Sequence, residues 1–73
     1  MYDWISDLEE RRLTINYSES TKQYSDAALR VDAARISQLK EAYAEAIQAA
    51  EAARHRCEAA RFALDAYRAG KRV

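Results

Sequence analysis

Apolar and polar residues change their spacing within the first part of this chain. Over residues 3–12 the apolar side chains from Trp4 to Leu8 fall on one side of a helix, and charged residues occupy much of the rest. Residues 13–17 then alternate between apolar and polar and include β-branched side chains, which is typical of an extended segment. The pattern predicts a short N-terminal helix followed by an extended connector.

The remainder of the chain favours one long helix. Neither glycine nor proline occurs from Thr21 to Ala69, and alanine, the residue with the lowest helix cost, recurs throughout. Gly70 then suits the residue that follows a helix end. The domain organisation expected from these signals is residues 1–19 as helix and connector, and residues 20–73 as a long alanine-rich helix. The expected fold class is therefore all-α.

A heptad repeat runs along this long helix. Its two columns, three residues apart, are apolar at all but one of twelve positions, which is typical of a coiled-coil-type seam. The predicted seam consists of Leu29, Ile36, Leu39, Tyr43, Ala46, Ala50, Ala53, Cys57, Ala60, Leu64 and Tyr67. Its large members lie toward the ends and its small members in the middle.

Such a seam needs further partners, because alanine layers bury little apolar area. We therefore expect an oligomeric helical bundle in which the long helices of two or more copies pack side by side. A hairpin with a joint near Ser37 and Gln38 is the structural alternative. A second apolar line starts at Ala27, Val31 and Ala34 and continues almost entirely as alanines to Ala66. This line faces either a second neighbour in a bundle or water.

Charge is balanced overall but divided along the chain. Residues 1–26 carry six acids and three bases, a net charge of −3, whereas residues 54–73 carry two acids and six bases, a net charge of +4. Acidic and basic ends attract when chains pack antiparallel, although local pairing within each helix accounts for the charges equally well. An antiparallel assembly of the chain with itself is the expected partner arrangement.

Composition also bounds the compartment and the partners. The formal net charge of zero is unlike a general nucleic-acid or membrane-surface binder. No stretch approaches the length of an apolar membrane span, and the acidic start lacks the apolar core of a secretion signal. A single cysteine cannot form a disulfide within the chain. We expect a cytoplasmic protein with no membrane partner.

Catalytic chemistry has little support in the residues present. The only histidine, His55, lies on a charged helix face near Glu51 and Glu58. Ion pairing is a simpler interpretation of this face than a metal site. Cys57 lies in an apolar heptad column, as expected for a packed thiol. One glycine excludes phosphate-binding glycine loops. We expect no enzyme activity, cofactor or metal.

Two sets of residues remain candidates for binding. A loose basic stripe, which would hold an anion such as a nucleotide or a nucleic-acid backbone, consists of Arg54, Arg61, Arg68 and Arg72. Its alternative interpretation is a solvated or protein-facing stripe, since acids are interspersed with it. The candidates for partner contact are the large apolar and aromatic residues of the N-terminal part, namely Trp4, Leu8, Ile15 and Tyr17.

Together these features predict a non-enzymatic, self-associating interaction module. It would serve as an adaptor, a scaffold subunit or a small inhibitor that occupies a surface of a larger protein. Small helical proteins of this kind occur among phage and mobile-element accessory proteins, which is an analogy of fold class only. The alternative is a nucleotide- or nucleic-acid-binding helical oligomer that uses the basic stripe.

Overall fold

The chain forms a hairpin of two long helices. The computed structural model describes the backbone of residues 4–71 and the side chains of residues 6–70. Helix α1 spans Trp4–Ser37, helix α2 spans Lys40–Lys71, and the two pack against each other along their length. The hairpin measures 59 × 16 × 11 Å. The described residues contain no strand, so the all-α prediction is confirmed, and the joint lies where the hairpin alternative placed it.

A two-residue turn at Gln38 and Leu39 reverses the chain. Gln38 has a φ of 63°, the left-handed conformation that commonly ends a helix, and its N–H donates to the carbonyl of Arg35 at 3.3 Å. The Ser37 hydroxyl donates to the carbonyl of Ala34 at 2.7 Å. At the start of α2, the Tyr43 N–H donates to the Leu39 carbonyl at 2.9 Å. The turn thus satisfies backbone groups that the helix ends leave unpaired.

The expected extended connector at residues 13–19 is wrong, because this stretch lies inside α1. Leu13 and Tyr17 are four residues apart and therefore point to the same side of a helix, toward α2, whereas Ile15 points to the opposite side. A helix with apolar residues on both sides gives the same alternation as a strand. Ser20, expected at a helix start, lies in mid-helix and is buried between the two helices.

The side of α1 that packs on α2 has its own heptad spacing. We call it the inner face of α1; its buried and half-buried members are Leu13, Tyr17, Ser20, Tyr24, Ala27, Val31 and Ala34. Ala27, Val31 and Ala34 thus face a neighbouring helix, as one reading of the second apolar line allowed. The alanines of that line beyond Ala42 are exposed.

In α2, the predicted seam lies against the inner face of α1. Ala53, Ala60 and Leu64 are buried, and the remaining members from Ala46 to Tyr67 are half-buried. The α2 part of the seam therefore packs within the chain. The described helix continues through Gly70, whose φ is not positive, so the end expected at that glycine is displaced by a residue or two.

The seam does not continue into α1, and this expectation is corrected. Leu29, Ile36 and Leu39 are 66%, 77% and 64% exposed. Val31 on the inner face of α1 and Tyr43 at the start of the α2 seam are twelve residues apart. On a continuous helix, two residues that are twelve positions apart point in directions about 120° apart. The change of direction at the turn brings them together, so one unbroken rod would not align them.

Polar contacts fix the open end of the hairpin. The Tyr67 hydroxyl on α2 donates to the backbone carbonyl of Ser6 on α1 at 2.5 Å and also hydrogen-bonds the Ser6 hydroxyl. Arg68 Nε donates to Glu10 Oε1 at 3.0 Å, an ion pair between the helices. These contacts set the register of α2 against α1 at a distance from the turn.

Candidate interaction surface

The side of α1 that faces away from α2 carries a row of aliphatic side chains. Leu8, Ile15, Leu29 and Ile36 recur at multiples of seven residues, with Lys22 at the remaining position. We call these five residues the outer stripe of α1. Leu29 lies midway between Ala27 and Val31 in sequence, so the stripe is diametrically opposite the inner face. All four aliphatic members are exposed.

Position on the helix explains why these side chains remain uncovered. A two-helix hairpin buries one side of each helix and leaves the opposite side in water. In a solvated helix the position opposite the core is ordinarily charged or polar. Here the outer stripe has large aliphatic residues at four of five such positions, and only Lys22 is charged. A recurring apolar row of this kind marks a contact surface more often than single exposed residues do.

Charged residues flank the outer stripe in an uneven distribution. Arg11 and Arg12 lie near its N-terminal end, and Asp32 lies near its C-terminal end. Arg12 is hydrogen-bonded to Glu9 through both Nε and a terminal nitrogen, and Arg11 lies 4.0 Å from Asp7. The hydrogen bond from Arg12, followed by its charge, lowers the pKa of Glu9. Charged side chains therefore border the stripe, and near its N-terminal end they are paired with each other.

A second exposed apolar group surrounds the turn. Leu39 is exposed, and Tyr43 and Ile47 on the first turns of α2 are each more than one-third exposed. Leu39 and Tyr43 border a shallow recess of about 140 Å3 that also includes Ala34 and Gln38. The turn thus adds apolar surface next to the C-terminal end of the outer stripe.

Helix α2 also has one large apolar side chain on its outer side. Phe62 is 76% exposed and lies beside the exposed Ala59, Ala63 and Ala66. Sequence reasoning did not select Phe62. Its signal was its position two residues from both Ala60 and Leu64, which places it opposite the buried side of α2.

The partner-contact candidates separate into different environments. Leu8 and Ile15 belong to the outer stripe of α1, whereas Tyr17 is half-buried on the inner face and contributes to packing. The side chain of Trp4 lies outside the described residues. Leu29 and Ile36, which sequence reasoning placed in the seam, extend the Leu8–Ile15 row. The spacing of Tyr17, Tyr24 and Val31 signals a second apolar row on α1, although it does not show which row meets α2.

The basic stripe is occupied by acidic partners along most of its length. Arg54 donates to both Glu51 and Glu58 at 2.8 Å, and Arg61 lies 3.7 Å from Asp65. Arg68 pairs with Glu10 on the other helix, and Arg72 lies outside the described residues. The hydrogen bond between Arg54 and Glu51, followed by their charges, lowers the Glu51 pKa and raises the Arg54 pKa. An incoming anion would compete with a carboxylate at each of these three arginines.

The cysteine and the histidine project from different sides of α2, because they are two residues apart. Cys57 is half-buried, and its Sγ is 3.4 Å from the Thr21 hydroxyl oxygen on α1. The Thr21 hydroxyl donates its one hydrogen to the Tyr17 carbonyl at 2.9 Å, so the thiol is the donor toward Thr21. His55 is exposed. Across the residues that the structure describes, no group of three or more acidic, histidine or cysteine side chains is placed to hold a metal ion.

Two further findings concern membrane spans and similarity to known proteins. Within the described part of the chain, neither helix has a stretch that is both long enough and apolar enough to cross a bilayer. No protein-family model, no curated protein and no solved structure matches this sequence.

Proposed function

We propose that this chain is a non-enzymatic, self-associating protein-interaction module built on a helical hairpin. It acts as an adaptor, a scaffold subunit or a small inhibitor that occupies a surface of a larger protein. The single observation that supports the proposal is the set of large apolar side chains on the outer sides of both helices. Leu29 and Ile36 on α1 and Phe62 on α2 are 66%, 77% and 76% exposed.

These positions add little to the packing of the hairpin itself. Each points away from the other helix, so a polar residue would serve the fold as well and would solubilise it better. Apolar residues at multiples of seven along one helix are also the form in which helices recognise helices or apolar grooves. Protein contact is therefore the function that these side chains support best.

The anion-binding alternative has weaker support. Arg54, Arg61 and Arg68 each have a carboxylate partner, and the overall net charge is zero. Binding of a phosphate would first require these ion pairs to be exchanged. No observation favours that function over protein contact.

The test is affinity capture from the native host with matched lysine variants. Leu29→Lys and Phe62→Lys each place a charge at an exposed apolar position, and Asn16→Lys places the same charge at an exposed polar position of α1. Circular dichroism must first show equal helicity in all three variants. We expect Asn16→Lys to capture the same proteins as the wild type, and at least one apolar-site variant to lose a partner by tenfold or more. Equal capture by all three variants would overturn the proposal.

A further inference from the structure

The outer stripe of α1 has a symmetric arrangement along the helix. Leu8 and Ile15 precede Lys22 by fourteen and seven residues, and Leu29 and Ile36 follow it by the same intervals. The row of aliphatic residues therefore has the same spacing in both directions from Lys22, so it matches itself when the helix is turned end to end. This is the property that a two-fold interface requires, because the same surface must complement itself.

We propose that the outer stripe binds the outer stripe of a second copy, with the two α1 helices antiparallel and the two-fold axis at Lys22. Leu8 then faces Ile36 of the other copy, and Ile15 faces Leu29. The hairpins remain intact, so the assembly contains four helices with the two α1 helices at its centre. This inference rests on the proposed self-association and specifies its surface, its occupant and its orientation.

Flanking charges favour the antiparallel orientation over the parallel one. In antiparallel packing, positions on the same side of the stripe meet across the interface. Arg11 and Asp32 are on one side of the stripe and at nearly equal distances from Lys22, so each Arg11 meets the Asp32 of the other copy. In parallel packing, positions on opposite sides of the stripe would meet instead, so Arg11 would approach Arg12 of the other copy, and such a like-charge pair is unfavourable.

The centre of the interface is polar, because the two copies together place four carboxylates and two lysines there. Glu19 and Asp26 lie one turn before and one turn after Lys22. In the antiparallel pair Glu19 approaches Asp26 of the other copy on one side of the stripe. Both Lys22 side chains are within one turn of these carboxylates, and their long aliphatic stems let the ammonium groups reach the rim. A single charged layer in an otherwise aliphatic interface fixes register at some expense of affinity.

The expected affinity follows from the size of this surface. Parts of eight aliphatic side chains become buried in the dimer, which is a small interface by the standard of stable complexes. The association must also offset the loss of translational and rotational freedom. We therefore expect a reversible dimer in the micromolar range, and mostly monomeric hairpins well below it.

Disulfide trapping tests the symmetry directly. In a Cys57→Ala background, Lys22→Cys places one thiol at the two-fold axis, where the two copies meet. Leu8→Cys places thiols about 42 Å apart along the antiparallel axes, because position 8 of one copy lies opposite position 36 of the other. We expect Lys22→Cys to form a covalent dimer under mild oxidation and Leu8→Cys to remain unlinked. Cross-linking of both variants would show a parallel arrangement, and cross-linking of neither would show another surface; either result overturns the inference.

Light scattering across a concentration series supplies an independent measurement. The wild type is expected to shift from monomer to dimer in the micromolar range. Ile36→Lys should weaken the dimer at least tenfold, while the control Asn16→Lys should leave it unchanged. A wild type that stays monomeric at millimolar concentration overturns the inference and the proposed self-association, yet the proposed contact with a larger protein stands if capture still depends on the apolar positions.

Discussion

The stability of the hairpin should depend strongly on Leu64 and hardly at all on Leu29. Both are leucines within long helices, but Leu64 is 4% exposed between α1 and α2, and Leu29 is 66% exposed on the outer stripe. The substitutions Leu64→Ala and Leu29→Ala remove the same atoms from opposite environments. The pair therefore isolates burial from helix propensity, which favours alanine slightly at both sites.

The magnitudes follow from the loss of buried carbon atoms. Leucine to alanine removes three carbons, worth about 2 kcal/mol at roughly 0.8 kcal/mol per buried methylene, and the residual cavity raises the total toward about 3 kcal/mol. At Leu29 only about a third of this burial free energy is lost, and no cavity forms. After the gain in helix propensity, Leu29→Ala should lower the free energy of unfolding by less than about 0.5 kcal/mol. A single core of this size supplies roughly 3–5 kcal/mol in total, so Leu64→Ala should leave a marginally stable hairpin with about 0–2 kcal/mol.

The assay is urea denaturation followed by circular dichroism at 222 nm, at a protein concentration low enough to keep the chain monomeric. The expected result is a large decrease of the midpoint for Leu64→Ala and a midpoint close to that of the wild type for Leu29→Ala. Equal losses for the two variants would refute the packing of α2 against the inner face of α1. A larger loss for Leu29→Ala would place the seam where the sequence alone had put it.

Three further outcomes are expected. Gln38→Gly should raise the free energy of unfolding by about 0.5–1 kcal/mol, because glycine adopts a φ of 63° without steric cost. Gln38→Val should lower the free energy of unfolding. Equal midpoints of the two variants in urea would contradict the turn geometry. Tyr67→Phe should cost about 0.5–1.5 kcal/mol in the same assay by removing the hydrogen bond to the Ser6 carbonyl, and a neutral result would show that this bond contributes nothing. Acidification should reduce helicity, because Arg54 lowers the folded-state pKa of Glu51. The stabilisation by the Glu51–Arg54 pair is present above the ordinary carboxylate pKa and is lost as pH falls through the lowered pKa. Circular dichroism from pH 7 to pH 2 should show a smaller decrease for Glu51→Gln, and an identical decrease would exclude the pair as a cause.

Fold class and part of the packing surface were accessible from sequence because they depend on local signals. The absence of breakers predicts helix, and in α2 the heptad from Ala46 to Tyr67 identifies the side that lies against α1. The weak point at Ser37 and Gln38 was also visible, although only as the site of an alternative hairpin. Gln38 in a left-handed conformation carries no sequence signal, because glycine or asparagine would be the expected residue there.

The inner face of α1 was not accessible in the same way, for a physical reason. Helix α1 has two apolar rows on opposite sides, one from Leu13 to Ala34 and one from Leu8 to Ile36. Heptad spacing shows that both rows exist but does not show which one meets α2. The row from Leu8 to Ile36 is in phase with the seam of α2 along a straight helix, so extending the seam selected it. Only the reversal at the turn makes the other row the inner one.

The small core and the apolar outer stripe are best understood together. The interhelix contact is rich in alanine, with Ala53 and Ala60 among its few buried residues, so each layer contributes little apolar area. A hairpin held this weakly gains stability from any association that its folded state makes and its unfolded state does not. Large aliphatic residues were available in α1, and Leu29 and Ile36 lie where another chain can cover them and α2 cannot. The distribution of apolar residues therefore supports the proposed dimer, in which the outer stripe of α1 would supply part of the burial that the core lacks.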